Sequence, residues 1–221
     1  MRTLLLPLAL VAVFAGLCCP AVKADVVVYS QPYNGLGSLI SDVDRPQWIA
    51  DNFTLTQDAE VTGVNWWSVY MDEPAATETF SISFYYDDGT GAPQPGSFVG
   101  YAATTVQRIN TGVPYGGFNL YEIYAYSFDL PSALALNAGT PYYISIVNTT
   151  DDDDDWNWLM STGPDGTCWV RQSYGPWPNT IPYDLAFELT AEDQEIIPEP
   201  VSATLFIGSV CLGLTRLRRR N

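Results

Sequence analysis

The sequence has no histidine, and its few cysteines are poorly placed for chemistry. Cys18 and Cys19 lie in an apolar N-terminal stretch and Cys211 lies in an apolar C-terminal one, so Cys168 is alone in the body of the chain. No disulfide can therefore form within the body. A zinc site of the Cys/His kind lacks its ligands, and a Ser-His-Asp or Cys-His triad lacks its base.

Positive charge is also scarce. Between residues 25 and 198 three arginines and no lysine stand against 24 acidic residues, a formal net charge of −21. Such a surface repels phosphate backbones, which excludes nucleic acid as a partner. It attracts divalent cations instead.

The first 24 residues have the composition of a secretory signal peptide. Arg2 supplies a positive start, residues 4–19 form an apolar run, and Val22-Lys23-Ala24 resembles a small-residue cleavage site. We predict removal of residues 1–24 by signal peptidase after Ala24, followed by export of the remainder.

The body lacks long stretches of helical period. It consists of about ten short runs rich in β-branched and aromatic residues, separated by clusters of Gly, Pro, Asn and Asp. We predict an all-β ectodomain over residues 25–190. An antiparallel β-sandwich of jelly-roll or immunoglobulin-like type is favoured, and a sheet closed on itself is the alternative. Residues 191–197 are acidic and lack a core pattern, which indicates a linker.

The last segment, residues 198–221, has three parts. It begins with Pro198, Glu199 and Pro200, continues through a small and apolar run at 201–214, and ends in arginines. Fourteen helical residues rise about 21 Å, against a hydrocarbon core of about 30 Å. The run is therefore a marginal span, and its shortness suits a temporary hold better than a permanent anchor. Positive charge after it is typical of an end held on the cytoplasmic side, so we predict a short transmembrane helix. The arginines concerned are Arg216, Arg218, Arg219 and Arg220.

This tripartite tail resembles the PEP-CTERM sorting signal, which is also labelled "ice-binding protein C-terminal domain". The resemblance implies a bacterial exosortase that cuts near Pro198-Glu199-Pro200, after the precursor has paused in the inner membrane. The body would then reach the cell surface or the extracellular matrix. Segments of residues 48–190, such as DNFTLTQDAEVTGVNWWSVYM and WNWLM, resemble an ectodomain that recurs in such proteins. That second resemblance implies no activity.

The strongest local charge is a run of five carboxylates: Asp151, Asp152, Asp153, Asp154 and Asp155. Oxygen-rich loops suit Ca²⁺, which takes six to eight oxygen ligands. The run matches no EF-hand spacing, so a solvated loop is the alternative interpretation. Ca²⁺ is the one cofactor that the sequence suggests, and none is required.

Tryptophan is abundant, and aromatic faces stack on sugar rings. Most of these rings are expected to fill the core. Trp66 and Trp67 are adjacent on a predicted strand, so they should point to opposite faces. Trp177 lies in the turn-rich SYGPWPNT and is expected to be the most exposed. Trp67 and Trp177 are therefore the candidate contacts with an extracellular polysaccharide.

No pair of acids is marked for glycoside hydrolysis among the many in the body, so no catalytic residue is assigned. The sequence favours a non-enzymatic structural or adhesive protein of the cell surface or extracellular matrix. The alternative is a carbohydrate-binding module that uses exposed tryptophan, with or without Ca²⁺.

Overall fold

The computed structural model describes residues 25–117, 121–150, 155–163, 165–172 and 175–193. Within these ranges the chain forms strands and one 3₁₀ turn, at Tyr115–Gly117, so the prediction of an all-β fold is confirmed. No helix in these ranges is long and apolar enough to cross a membrane. The predicted signal peptide and sorting signal, with Ala24, Pro198, Glu199, Pro200 and the terminal arginines, lie outside the described residues.

The described residues form fourteen strands. The first seven are β1 (Asp25–Gln31), β2 (Tyr33–Ile40), β3 (Trp48–Thr54), β4 (Ala59–Tyr70), β5 (Phe80–Tyr86), β6 (Val99–Ala103) and β7 (Gln107–Pro114). The others are β8 (Glu122–Leu136), β9 (Pro141–Asn148), β10 (Trp156–Ser161), β11 (Cys168–Arg171), β12 (Asn179–Ile181), β13 (Asp184–Leu185) and β14 (Phe187–Glu192).

These strands pair into two sheets, and every strand-to-strand ladder is antiparallel. One sheet has eight strands in the order β1-β14-β4-β10-β13, with β2 on β10, β8 on β4 and β7 on β8. The other has six strands in the order β12-β11-β3-β9-β5-β6.

Alternating side chains give each sheet a buried face. In β5, Phe80, Ile82 and Phe84 are buried while Ser81 and Ser83 between them are only half-buried. Successive residues of a strand point to opposite faces, so the apolar set faces the other sheet. In β4, Gly63 is required by a close approach, because a Cβ there would lie 2.5 Å from the Thr190 hydroxyl oxygen.

The two sheets share one hydrophobic core. Phe53 of the six-stranded sheet meets Phe187 of the eight-stranded sheet with ring centroids 5.9 Å apart. Phe80 likewise meets Trp156 at 5.2 Å and Trp66 at 5.3 Å. Trp66, Trp156 and Trp158 are fully buried in this core. The other four tryptophans pack in clusters outside it, so the expectation that most of them fill the core is not met; they are Trp48, Trp67, Trp169 and Trp177.

Four features of the strands were not predicted from the sequence. The glycine-rich YNGLGSLI segment forms β2 because it pairs with β10. β7 is irregular, because its register on β8 shifts between Asn110 and Pro114, where Gly112 has a φ of 68°. Residues 98–109 contribute to two strands: β6 joins the six-stranded sheet and β7 the eight-stranded one. At the end, Ala191 and Glu192 pair with Val26 and Asp25, so β14 includes two residues that the sequence assigned to the linker.

Candidate functional site

A row of small side chains crosses the outer face of the six-stranded sheet. Ala50 of β3 pairs with Ser145 of β9, which pairs with Ser83 of β5, which pairs with Gly100 of β6. A Cβ on Gly100 would approach the Ser83 hydroxyl to 3.4 Å. Side chains this short leave the sheet surface low along the row, and Ser83 and Ser145 of the row form the floor of a groove.

The groove has a cavity volume of about 190 Å³. Aromatic rings and hydroxyl groups both line it. Most of these side chains are on the outward-facing positions of the neighbouring strands β3, β9 and β5. The lining residues are Val43, Trp48, Ser81, Ser83, Tyr85, Ser145, Val147 and Thr149.

Arg171 of β11 braces the aromatic side of the groove. Its guanidinium carbon lies 4.7 Å from the Trp48 ring centroid and 5.5 Å from that of Tyr85. The same guanidinium donates to the Tyr85 hydroxyl at 3.0 Å and to the carbonyls of Pro95 and Gly175 at 3.0 Å each. A planar guanidinium that both stacks and donates holds these rings in one arrangement.

Trp177 belongs to this assembly, and the prediction that it is exposed is wrong. Its side chain is buried, with 4% of its surface exposed. The Arg171 guanidinium carbon stands 4.1 Å from its ring centroid, and Tyr85 meets it edge-on at 5.5 Å. Turn residues around Trp177 suggested a surface loop, but the loop folds back so that the ring covers the cation.

Ser145 is the least satisfied polar group of the groove floor. Only 1% of its surface is exposed, and its hydroxyl oxygen has no hydrogen-bond partner among the described residues. Buried hydroxyls usually have a partner, and leaving one unpaired is costly. Ser145 is therefore an unpaired hydroxyl beneath the groove, and the half-buried Ser83 opposite it is the hydroxyl that faces the cavity.

Trp67 lies elsewhere, on the outer face of the eight-stranded sheet. It is half-buried and packs against a cluster that contains Val69, Ile123 and Leu159, with Tyr115 alongside. Trp66 and Trp67 do point to opposite faces, as their adjacency predicted. Trp67 and Trp177, however, are on the outer faces of different sheets, so the structure does not bring the two predicted glycan contacts together.

A larger depression, of about 730 Å³, lies on the eight-stranded sheet near the ends of β1 and β14. It is lined chiefly by aliphatic, alanine and acidic side chains, among them Asp58, Glu60 and Glu192. By volume alone, this depression would be the preferred candidate for a binding site. Its lining residues include no aromatic ring and no unpaired hydroxyl, so the smaller groove carries more of the features of a binding site.

The aspartate run is described only at its last member. Asp155 has a positive φ of 43°, and its carboxylate is engaged by Arg45, with Nε–Oδ1 and Nη2–Oδ2 distances of 2.8 and 3.0 Å. Asp151, Asp152, Asp153 and Asp154 lie outside the described residues. Among the residues that are described, no group of three potential metal ligands occurs, and Ca²⁺ binding by the run stays a prediction.

A buried carboxylate between the sheets was missed from the sequence. Asp51 is fully buried in β3; its oxygens accept from the backbone N–H of Leu185 at 2.6 Å and of Asn52 at 3.0 Å. Gln31, oriented by its hydrogen-bond network, donates to Asp51 at 2.9 Å. Burial raises the pKa of Asp51 well above its usual range, and the charge of Asp184 adds to the effect. The alternation of WIADNFT, which places Asp51 between Ile49 and Phe53 on the inner face, could have revealed it.

Glu78, in the segment before β5, is a second buried acid. Glu78 forms an ion pair with Arg108 at 2.8 Å and accepts a hydrogen bond from the Tyr126 hydroxyl at 2.8 Å. Desolvation raises the pKa of Glu78, while Tyr126 and Arg108 oppose the rise. Both carboxylate oxygens are engaged within the protein, so this site is structural.

No curated protein matches the chain. The family described as a domain of unknown function (DUF7901) matches residues 27–190 of the 221, a range that includes every strand residue of the groove. The chain therefore belongs to the DUF7901 family.

Proposed function

We propose that this protein is exported and sorted to the bacterial cell surface or extracellular matrix, where it has a non-enzymatic structural or adhesive role. The observation that carries the proposal is the pairing of a signal-peptide-like start with the Pro-Glu-Pro, apolar and arginine-rich end, on one strongly acidic chain. The proposed fold of the delivered body is a β-sandwich of jelly-roll or immunoglobulin-like type, supported by two antiparallel sheets that share one core.

In the proposed route each end segment has one task. Signal peptidase cleaves after Ala24. Residues 201–214 form a short helix that pauses in the inner membrane, and the terminal arginines stay on the cytoplasmic side because moving them across is costly. An exosortase then cuts near Pro198-Glu199-Pro200 and frees the body from this temporary anchor.

Mass spectrometry of the mature C-terminus tests this route. Surface material from producing cells should end near Glu199, and cells that lack the exosortase should retain the tail. Replacing Arg216, Arg218, Arg219 and Arg220 by serine should cause mislocalisation, whereas Arg45→Ser, an exposed arginine of the body, should not. A surface protein that still ends at Asn221, or a normally processed quadruple variant, would overturn the proposal.

A second candidate function is carbohydrate binding by the body, with or without Ca²⁺. The observation in its favour is the groove over Ser83 and Ser145, where hydroxyl groups and braced aromatic rings line one cavity. A glycan array probed with the mature protein tests it: selective retention of any saccharide supports binding, and uniform background argues for a purely structural body.

A further inference from the structure

We propose that the groove on the six-stranded sheet binds a neutral saccharide, with a sugar ring against Trp48 and a sugar hydroxyl bonded to Ser83. The inference rests on the second candidate function and specifies its site and ligand class. It is independent of how the protein reaches the surface.

The floor of the groove supplies a hydroxyl that a ligand can reach. Ser83 is half-buried and lines the cavity, and its hydroxyl both donates and accepts, as sugar hydroxyls do. Ser145 lies directly opposite on β9, but its hydroxyl oxygen is buried. Ser145 therefore shapes the floor, and the bond to the sugar is assigned to Ser83.

The wall supplies an apolar surface that is already in position. Trp48 is half-buried and lines the cavity. Arg171 is fixed by its hydrogen bonds to Tyr85 and two carbonyls, and it stacks on the Trp48 ring. The C–H faces of pyranose rings are apolar and pack on aromatic side chains. A rigid ring loses little conformational entropy on binding, so the wall is preorganised for such a contact.

Volume and charge narrow the ligand class. A cavity of about 190 Å³ is smaller than the roughly 300 Å³ at which pockets for drug-sized ligands begin, so it fits a single ring or one unit of a chain that passes across the sheet. The net charge of −21 over residues 25–198 repels uronate-rich or sulfated polymers. These two facts together favour a neutral saccharide over an acidic one.

The test uses mature protein purified from producing cells and a panel of soluble oligosaccharides. Cello-, malto-, xylo- and manno-oligosaccharides are the neutral probes, and oligogalacturonate is the acidic one; binding is measured by calorimetric titration and saturation-transfer NMR. At least one neutral probe should bind, and oligogalacturonate should not.

Three variants locate the site. Ser83→Val and Ser83→Thr have the same shape and differ by one hydroxyl, so the valine variant should weaken binding about three- to tenfold while the threonine variant retains it. Ser127→Val is the matched control, because Ser127 is also a half-buried serine on a strand, but of the other sheet. Thermal melts of all three variants exclude loss of fold.

The outcomes separate the saccharide site in the groove from the second candidate function. Neutral binding that is equal in Ser83→Val and Ser83→Thr overturns the groove and leaves the second candidate function standing. Binding of oligogalacturonate alone overturns the ligand class. Absence of binding to every probe overturns both the groove and the second candidate function, and it does not affect delivery.

Discussion

The guanidinium carbon of Arg171 lies 4.1 Å from the ring centroid of Trp177 and 4.7 Å from that of Trp48. One buried cation thus joins a loop after β11 to the first residue of β3, which it faces in the strand register. The contact explains why a tryptophan in a turn-rich segment is buried. It also makes the groove wall depend on a residue that does not line the cavity.

Arg171→Lys should therefore lower the free energy of unfolding by about 2–3 kcal/mol, because lysine cannot form the forked bonds to two carbonyls and Tyr85 while it stacks. Urea denaturation followed by tryptophan fluorescence measures the change. The matched control is Arg45→Lys, since Arg45 pairs with Asp155 through a side chain that is 55% exposed; we expect about 0–1 kcal/mol there. Equal losses in the two variants would contradict the bracing role.

Replacing the buried serines Ser41 and Ser145 by alanine should have different effects on the free energy of unfolding. Ser41 is fully buried and donates to the Ile146 carbonyl at 2.7 Å, so Ser41→Ala should cost about 1–2 kcal/mol. Ser145→Ala removes a hydroxyl that has no partner among the described residues, so its free energy of unfolding should be unchanged or higher. Comparable destabilisation in chemical denaturation would show that Ser145 is bonded within the folded protein.

The ion pair between Glu78 and Arg108 offers a test of buried charge. Arg108→Met leaves Glu78, whose side chain is 4% exposed, without its cation, and should cost about 3 kcal/mol near neutral pH. Glu78→Gln combined with Arg108→Met should cost less than Arg108→Met alone, because no unpaired charge remains. Denaturation of the two single variants and the double variant gives the coupling energy, and strict additivity would argue against the pairing.

The all-β class and the inner face of the sheets followed from the sequence because alternation is a local pattern. Phe80, Ile82 and Phe84 alternate with serines, a pattern that marks one buried strand face. The adjacency of Trp66 and Trp67 predicted that they point to opposite faces. β2 could not be predicted in this way, since a glycine-rich segment becomes a strand only through its pairing with β10.

The groove was beyond prediction for a related reason. Ser83 and Ser145 are unremarkable in their own segments, and they form a floor only once the β5–β9 ladder sets their register. The burial of Trp177 likewise depends on Arg171, a contact between a loop and a strand that composition does not encode. By contrast, the inward position of Asp51 was present in the alternation of β3.

Asp51 makes the stability of the body depend on pH. Its pKa is raised in the folded state by burial, so between the unfolded value of about 3.9 and the folded value the native protein binds more protons. The free energy of unfolding should fall as pH rises through this window. The raised pKa values of Asp42, Glu78 and Asp184 act in the same direction.

Asp51→Asn should therefore reduce the fall in the free energy of unfolding between pH 4 and 8, measured by chemical denaturation at a series of pH values. Asp129→Asn removes an exposed carboxyl of β8 and is the control, for which we expect the pH dependence of the wild type. An unchanged slope in Asp51→Asn would mean that the carboxyl titrates alike in both states.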